Sequence, residues 1–174
     1  GIGMLAIQYA KARGATVLTT AGTPEKLDLC RTLGADTALD YHDDWVDGVK
    51  EATGGRGVDV ILDNMGAKYL TPNVRSLARL GRLVVIGLQG GVKGELNLNT
   101  LLGKCATVTA TSLRFRPADE KAAIVSRVSD EVWPLIASGR IAIAHQTRFQ
   151  VDDVRAAHQQ LTGGNHVGKV VLTF

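Results

Sequence analysis

The sequence predicts an α/β fold in which helices cover a parallel sheet, and two of its features carry this prediction. Segments with apolar residues at helical spacing alternate with β-rich runs along all 174 residues. The composition is 45% hydrophobic but only 5% aromatic, which is typical of the aliphatic strands of a buried parallel sheet. Strands that alternate with helices imply βαβ units with right-handed crossovers.

Turn and capping residues delimit the predicted elements. Predicted helices cover residues 2–13, 24–33, 69–80, 118–138 with a bend near Pro134, and 151–161, and one more follows Asp43 or Asp44. Predicted strands cover residues 15–20, 37–41, 58–63, 82–86, 107–111, 143–149 and 168–174. Thr23 is the expected cap of the second helix, because Pro24 follows it at the first helical position.

The sequence opens on a glycine turn, Gly1-Ile2-Gly3, that leads directly into a predicted helix. A dinucleotide-binding fingerprint has a strand, then a glycine turn, then a helix. The sequence therefore predicts a Rossmann doubly wound parallel sheet that lacks its first, central strand. The place of this missing strand, called the central slot, would be bordered by unpaired backbone groups. We expect it to be filled by residues upstream of Gly1, by a strand swapped from a second copy, or by the apolar segment 167–174.

The loop after the next predicted strand indicates which dinucleotide is bound. An NAD site usually has Asp or Glu at the end of this strand. Here the strand ends at Thr20, and small neutral residues occupy the position of that carboxylate. Lys26 lies one turn into the next helix, within reach of a 2′-phosphate, and Gly22 and Thr23 offer hydrogen bonds at the helix amino end. This pattern favours NADP(H). The alternative is a capped helix with a solvated lysine, and Glu25 would repel a phosphate unless it points outward.

Short motifs are spread over the whole chain: GIGMLAIQYAK (1–11), TAGT (20–23), LGAD (33–36), ILD (61–63), GRLVVIG (81–87) and HVGKVVL (166–172). As a set they resemble the medium-chain dehydrogenase/reductase superfamily, and within it the quinone oxidoreductase, zeta-crystallin-like branch. The resemblance implies a cofactor domain between two parts of a GroES-like catalytic domain. It makes residues 1–140 an N-terminally truncated NADP-binding Rossmann domain and residues 141–174 the segment that returns to the catalytic domain.

The resemblance also implies a cofactor site. It places Ile2 and Gly3 at the pyrophosphate, Gly22, Lys26 and Tyr41 around the 2′-phosphate, Asn64 near the adenosine or its ribose, Gly87, Leu88, Gln89 and Leu113 toward the nicotinamide, and His166 beside the cofactor. An exposed loop histidine is the alternative for His166. Several of these residues follow the carboxyl ends of predicted strands, where open α/β sheets bind ligands.

The activity that the resemblance implies is hydride transfer from NADPH to a quinone or a similar conjugated carbonyl, with the cofactor carrying the chemistry. No catalytic residue can be named from this sequence, and no metal site is expected in it. Two alternatives stay open. One is the cofactor domain of a zinc-type alcohol dehydrogenase or of an enoyl reductase, and the other is a non-catalytic NADPH-binding module.

The charge, apolar stretches and cysteines of the sequence limit the expected partners and location. The net charge is +3 and the basic residues are scattered, so we expect no nucleic-acid binding. The apolar stretches are too short for a membrane span and no leader is recognisable. Cys30 and Cys105 each stand alone, which favours a reduced, cytoplasmic location.

The segment 106–111 consists of alanine, threonine and valine and is typical of an edge strand with little charge to protect it. In the superfamily that the chain resembles, the corresponding strand pairs across a two-fold axis, so the resemblance implies a homodimer. The alternative is an edge strand that is covered by other residues.

Overall fold

A computed structural model describes residues 1–143, 145–164 and 166–174. Its helices are α1 (Ile2–Ala12), α2 (Pro24–Thr32), α3 (Trp45–Ala52), α4 (Leu70–Ser76), α5 (Leu98–Lys104), α6 (Ala118–Glu131), α7 (Trp133–Ala137) and α8 (Val154–Thr162). Its strands are β1 (Leu18–Ala21), β2 (Thr37–Asp40), β3 (Val58–Asp63), β4 (Leu77–Val85), β5 (Thr107–Ala110), β6 (Gln146–Gln150) and β7 (Lys169–Thr173). Short 3-10 turns at Ala67–Tyr69 and Val151–Asp153 precede α4 and α8.

The chain forms two compact units. The first unit comprises Gly1–Asp40 and Val125–Phe174, and the second comprises Tyr41–Ile124. The first holds the sheets β1-β2 and β6-β7, and the second holds the sheet β3-β4-β5. Every strand pair in the described part of the chain is parallel, so connections cross over instead of forming hairpins. The predicted α/β class is confirmed, whereas the boundary between residues 140 and 141 stays a prediction.

Each unit has an aliphatic core. In the first, Ile7 of α1 packs with Val17 and Ala35, which flank β1 and β2. In the second, Val74 of α4 packs with Leu77 and Leu83 of β4. Burial of such a side chain contributes about 1.5–3 kcal/mol, so these contacts fix the helices against the sheets and set where the strand ends lie.

Two predicted helix caps are confirmed. The Thr23 hydroxyl accepts a hydrogen bond from Lys26 N at 3.3 Å, and Pro24 begins α2. Asp44, one of the two candidates, accepts from Asp47 N at 3.2 Å and caps α3. Such bonds satisfy amide groups that the first helical turn leaves unpaired.

The prediction of a helix over residues 69–80 was wrong in its second half. The α-helix ends at Ser76, and β4 begins at Leu77 instead of Arg82. Leu77 pairs with Val58 and is fully buried. A Cβ on Gly57 would lie 2.7 Å from Ser76 O, so the two backbones touch there. Tertiary burial of this turn overrides its helical apolar spacing.

Other boundaries also differ from the prediction. The helix predicted over 118–138 agrees with its predicted bend near Pro134: it is interrupted at Val132 and restarts as α7, because Pro134 cannot donate to the preceding turn and is tolerated in a first turn. Helix α5, capped by Asn97, was not predicted. The strand predicted over 143–149 begins only at Gln146, because His145 has φ +57°. Ala144 of that prediction lies outside the described residues.

The proposed filling of the central slot by residues 167–174 is wrong. Strand β7 pairs with β6 along its length, from Gln146↔Lys169 to Gln150↔Thr173. Within the described residues, β1 pairs with β2 alone and β3 with β4 alone. The other two candidates, residues upstream of Gly1 and a strand swapped from a second copy, stay predictions.

Candidate functional site

Several of the predicted site residues follow strand ends, as expected for an α/β sheet. In the first unit, Gly22 and Thr23 come after β1. Tyr41, the first residue of the second unit, directly follows the last residue of β2. In the second unit, Asn64 follows β3, the run Gly87, Leu88 and Gln89 follows β4, and Leu113 follows β5. Each group is described below within its own unit.

The amino end of α1 offers backbone amides to an anion. Gly1 is the N-cap and provides no side-chain cap, and no acidic residue lies in the first turn. Ile2 is exposed, and a Cβ on Gly3 would meet no atom within 4 Å. Lys169 of β7, which was not predicted for the site, brings Nζ within 2.9 Å of a Cβ placed on Gly1. A free helix amino end beside a cation suits a phosphate.

The amino end of α2 has an N-cap, Thr23, followed by two side chains of opposite charge, Glu25 and Lys26. The Thr23 hydroxyl accepts from Lys26 N. The Glu25 carboxylate is held by its own backbone N–H and by Thr23, and these hydrogen bonds keep the pKa of Glu25 below its usual value. Glu25 therefore adds a negative charge to the same first helical turn. The Lys26 ammonium and the Glu25 carboxylate have opposite effects on any anion bound here.

His166 lies between α8 and β7 in the first unit and is half-buried. Its Nδ1 is buried and has no hydrogen-bond partner among the described residues. A buried ring nitrogen without a partner is costly, which favours a ligand group beside His166 over the alternative of an exposed loop histidine.

Aromatic ring contacts in the second unit involve Tyr41 and Tyr69. The Tyr41 ring is 41% exposed and its centroid lies 4.6 Å from that of His42. Tyr69 packs edge-on against Trp45, with centroids 5.9 Å apart. Burial, and then the nearby Tyr41 and Asp63, raise the pKa of the Tyr69 hydroxyl. Tyr41 is therefore partly exposed at the end of β2, and its place beside the 2′-phosphate stays a prediction.

Two loops at the carboxyl ends of β3 and β4, residues 64–68 and 87–91, are bonded to each other and are called the loop pair. The bonds are Gln89 N to Asn64 O at 3.2 Å, Gly90 N to Met65 O at 2.7 Å, Ala67 N to Gly91 O at 3.0 Å and Lys68 N to Gly90 O at 3.2 Å. The loop pair thus brings together Asn64, Gly87 and Gln89 from the predicted site. Leu88 and Leu113 are more than half exposed.

The residues present fit a dinucleotide phosphate. Glycines leave the α1 amino end open, Lys26 and Lys169 supply cations at two helix starts, and His166 Nδ1 has an unmet hydrogen bond. Among the described residues, no group of three or more His, Cys, Asp or Glu side chains is placed to hold a metal ion. None of the described helices combines the length and apolarity that a membrane span needs.

Parallel strands, helical crossovers and glycine-rich loops at strand ends define a Rossmann-like α/β protein. Residues 1–129 match the family profile of the zinc-binding dehydrogenases. Because this match covers most of the chain, the chain belongs to the zinc-binding dehydrogenase family. The resemblance stated from the sequence motifs is thereby confirmed.

Individual relatives agree with this assignment. The chain is 33% identical over 176 residues to quinone oxidoreductase 1 of Escherichia coli K12, a match covering 99% of this chain and 53% of the relative. The crystal structure of an E. coli quinone oxidoreductase complexed with NADPH is similar with a TM-score of 0.84 and 30% identity, over 100% of this chain and 54% of that one. A highly reducing polyketide synthase of Aspergillus ruber is 33% identical, over 100% of this chain and 8% of the synthase. The chain therefore spans about half the length of the quinone oxidoreductases it matches.

Proposed function

We propose that this chain is the NADP(H)-binding part of an oxidoreductase that transfers hydride from NADPH to a quinone or a similar conjugated carbonyl. The observation that carries the proposal is the α2 amino end, where Thr23 caps the helix, Lys26 follows, and no carboxylate ends β1. The likeness to an E. coli quinone oxidoreductase complexed with NADPH supports both the cofactor and the substrate class.

In this proposal each predicted residue holds one part of the cofactor. Ile2 and Gly3 at the α1 amino end bind the pyrophosphate through backbone amides, and Lys169 adds a cation there. Gly22, Thr23, Lys26 and Tyr41 bind the 2′-phosphate, Asn64 the adenosine ribose, Gly87, Leu88, Gln89 and Leu113 the nicotinamide side, and His166 an adjacent group of the cofactor. The bound nicotinamide supplies the hydride, and the protein positions it and excludes water.

Replacement of the proposed phosphate ligand tests the cofactor assignment. We expect the wild-type chain to bind NADPH more tightly than NADH, and Lys26→Ala to weaken NADPH binding about tenfold, because a charge-assisted hydrogen bond to phosphate is lost. NADH binding should change less than about twofold, since NADH carries no 2′-phosphate. Titration of nicotinamide fluorescence with both cofactors measures this.

Lys50→Ala is the matched control for Lys26→Ala. Lys50 also lies on a short helix, and its ammonium pairs with Asp47 at 2.5 Å in the second unit. Its removal should leave the ratio of NADPH to NADH affinity unchanged. A wild-type preference for NADH, or a Lys26→Ala chain that binds NADPH as tightly as wild type, would overturn the NADP(H) proposal.

Glu25 lowers the affinity for a 2′-phosphate in this proposal, because it places a negative charge in the first turn of α2. We expect Glu25→Gln to strengthen NADPH binding about two- to fivefold at low salt and to leave NADH nearly unchanged. The gain should shrink at about 1 M salt, where the screening length is about 3 Å. Glu51→Gln, at an exposed position of α3, is the control. A loss of NADPH affinity in Glu25→Gln would place the phosphate elsewhere.

The second candidate is the cofactor part of an enoyl reductase, and the likeness to a highly reducing polyketide synthase favours it specifically. The two candidates share cofactor and hydride transfer and differ in the acceptor. Assay of the parent polypeptide with a benzoquinone and with an enoyl thioester separates the two candidates by the ratio of their kcat/KM values.

A cytoplasmic location and a homodimer through residues 106–111 complete the proposal. The dimer is supported by β5, which pairs with β4 alone in the described sheet.

A further inference from the structure

We propose that Asp63 is a positioning residue that holds the loop pair in the shape that binds the nicotinamide half of NADP(H). The inference rests on the proposed function, because it takes the loop pair to be part of the cofactor site. Asp63 is the last residue of β3 and immediately precedes Asn64. Its side chain is only 4% exposed, so it acts through its neighbours and not by direct contact with a ligand.

The Asp63 carboxyl group is matched to two backbone donors. One oxygen accepts from Met65 N at 2.8 Å and the other accepts from Gly66 N at 2.9 Å. Its main-chain oxygen accepts from Ile86 N at 2.7 Å, which joins the end of β3 to the end of β4. One residue therefore folds the first loop back on itself and fixes it to the strand that carries the second.

The two loops have little freedom to move separately. A Cβ on Gly87 would lie 2.7 Å from Asn64 O, and one on Gly90 would lie 2.9 Å from Lys68 Cβ. Gly66 has φ +75°, and a Cβ there would lie 2.9 Å from Gly91 O. Backbone lies against backbone, and the hydrogen bonds of the loop pair run across the same contact. A displacement of residues 64–66 must therefore shift residues 87–91 as well.

An amide cannot replace this carboxyl group, although it has the same shape. In the Asp63→Asn variant one oxygen would remain to accept from one N–H, while the new NH₂ group would face the other N–H. A buried backbone donor left without an acceptor is costly, so the turn at Met65 and Gly66 would open. The cofactor half that lies on the loop pair would lose its preorganised surface.

The test is Asp63→Asn with NADPH and NADH titrations at a temperature where circular dichroism shows the variant folded. We expect both cofactors to bind about tenfold more weakly, with their affinity ratio unchanged, because the proposal assigns the 2′-phosphate to residues outside the loop pair. A change in the ratio would contradict the placement of the loop pair on the nicotinamide half. Affinities equal to wild type would overturn the role of Asp63.

Asp59→Asn is the matched control, because Asp59 lies on the same strand, is exposed, and pairs with Arg56. It should bind both cofactors like wild type. Failure of the wild-type chain to bind NADPH would defeat the proposed function itself, whereas normal wild-type binding with normal Asp63→Asn binding defeats only this inference.

Amide hydrogen exchange on the wild-type chain keeps the inference testable if Asp63→Asn does not fold. The amides of Met65, Gly66 and Gly90 all donate within the loop pair or to Asp63. NADPH should slow their exchange together, by about tenfold or more at saturating ligand. Unchanged exchange at all of them on NADPH binding would overturn the inference.

Discussion

Leu83→Ala should lower the free energy of unfolding by about 2–5 kcal/mol, the range for a buried leucine truncated to alanine. Leu83 has 0% exposure and lies in β4, the central strand of the β3-β4-β5 sheet. It packs with Val74 and Leu77 of the second-unit core. Because neighbouring strands and a helix pack around it, the vacated space cannot collapse without moving the sheet. Urea denaturation followed by circular dichroism measures the loss.

Leu62→Ala is the matched control for Leu83→Ala. Leu62 lies on the neighbouring strand β3 and is 51% exposed, so truncation removes less packing. We expect a loss below about 1 kcal/mol. Equal losses for the two variants would mean that β4 is not the centre of this core.

Gly87→Ala should weaken binding of NADPH between about fivefold and a hundredfold, which corresponds to an overpacking cost of about 1–3 kcal/mol. The added methyl would lie 2.7 Å from Asn64 O and 3.2 Å from Asn64 Cα. Both are backbone atoms that no side-chain rotation can move. The loop after β4 must therefore move away from Asn64, and the nicotinamide side of the proposed site opens. Fluorescence titration with NADPH measures the effect.

Gly103→Ala provides the control for Gly87→Ala. Gly103 lies inside α5, and a Cβ there would meet no atom within 4 Å. Alanine in a helix interior is favoured over glycine by roughly 0.5–1 kcal/mol, so this variant should be slightly more stable than wild type and bind NADPH normally. NADPH binding by Gly87→Ala that matches Gly103→Ala would show that residues 87–91 do not touch the cofactor.

The sequence predicted best where local chemistry decides the structure. Thr23 with Pro24, and Asp44 before α3, led to the correct helix starts because a cap and its amide lie within three residues. Prediction failed where distant contacts decide. Leu77 joins β4 because Gly57 lets the strand approach closely, and no local pattern encodes that neighbour. Helix α5 was missed because it is short and follows a glycine-rich region.

In the candidate site, too, the sequence predicted what local patterns determine and missed what distant contacts determine. Gly22, Asn64 and Gly87 could be placed because each follows a recognisable strand, and ligands of α/β sheets bind outside the carboxyl ends of strands. The environment of Asp63 could not be predicted, because it depends on the direction of the Met65 and Gly66 amides. Lys169 was also missed, since only the folded chain brings it beside Gly1.

The discontinuity of the first unit has a consequence for synthesis on the ribosome. The second unit is one continuous stretch, residues 41–124, so its contacts can form as soon as that stretch has left the ribosome. The first unit combines residues 1–40 with residues 125–174, which are made later. Domains fold as units during synthesis, so α1 can form its hydrogen bonds from Gln8 to Ala142 and from Tyr9 to Glu131 only after the later part of the chain has been made.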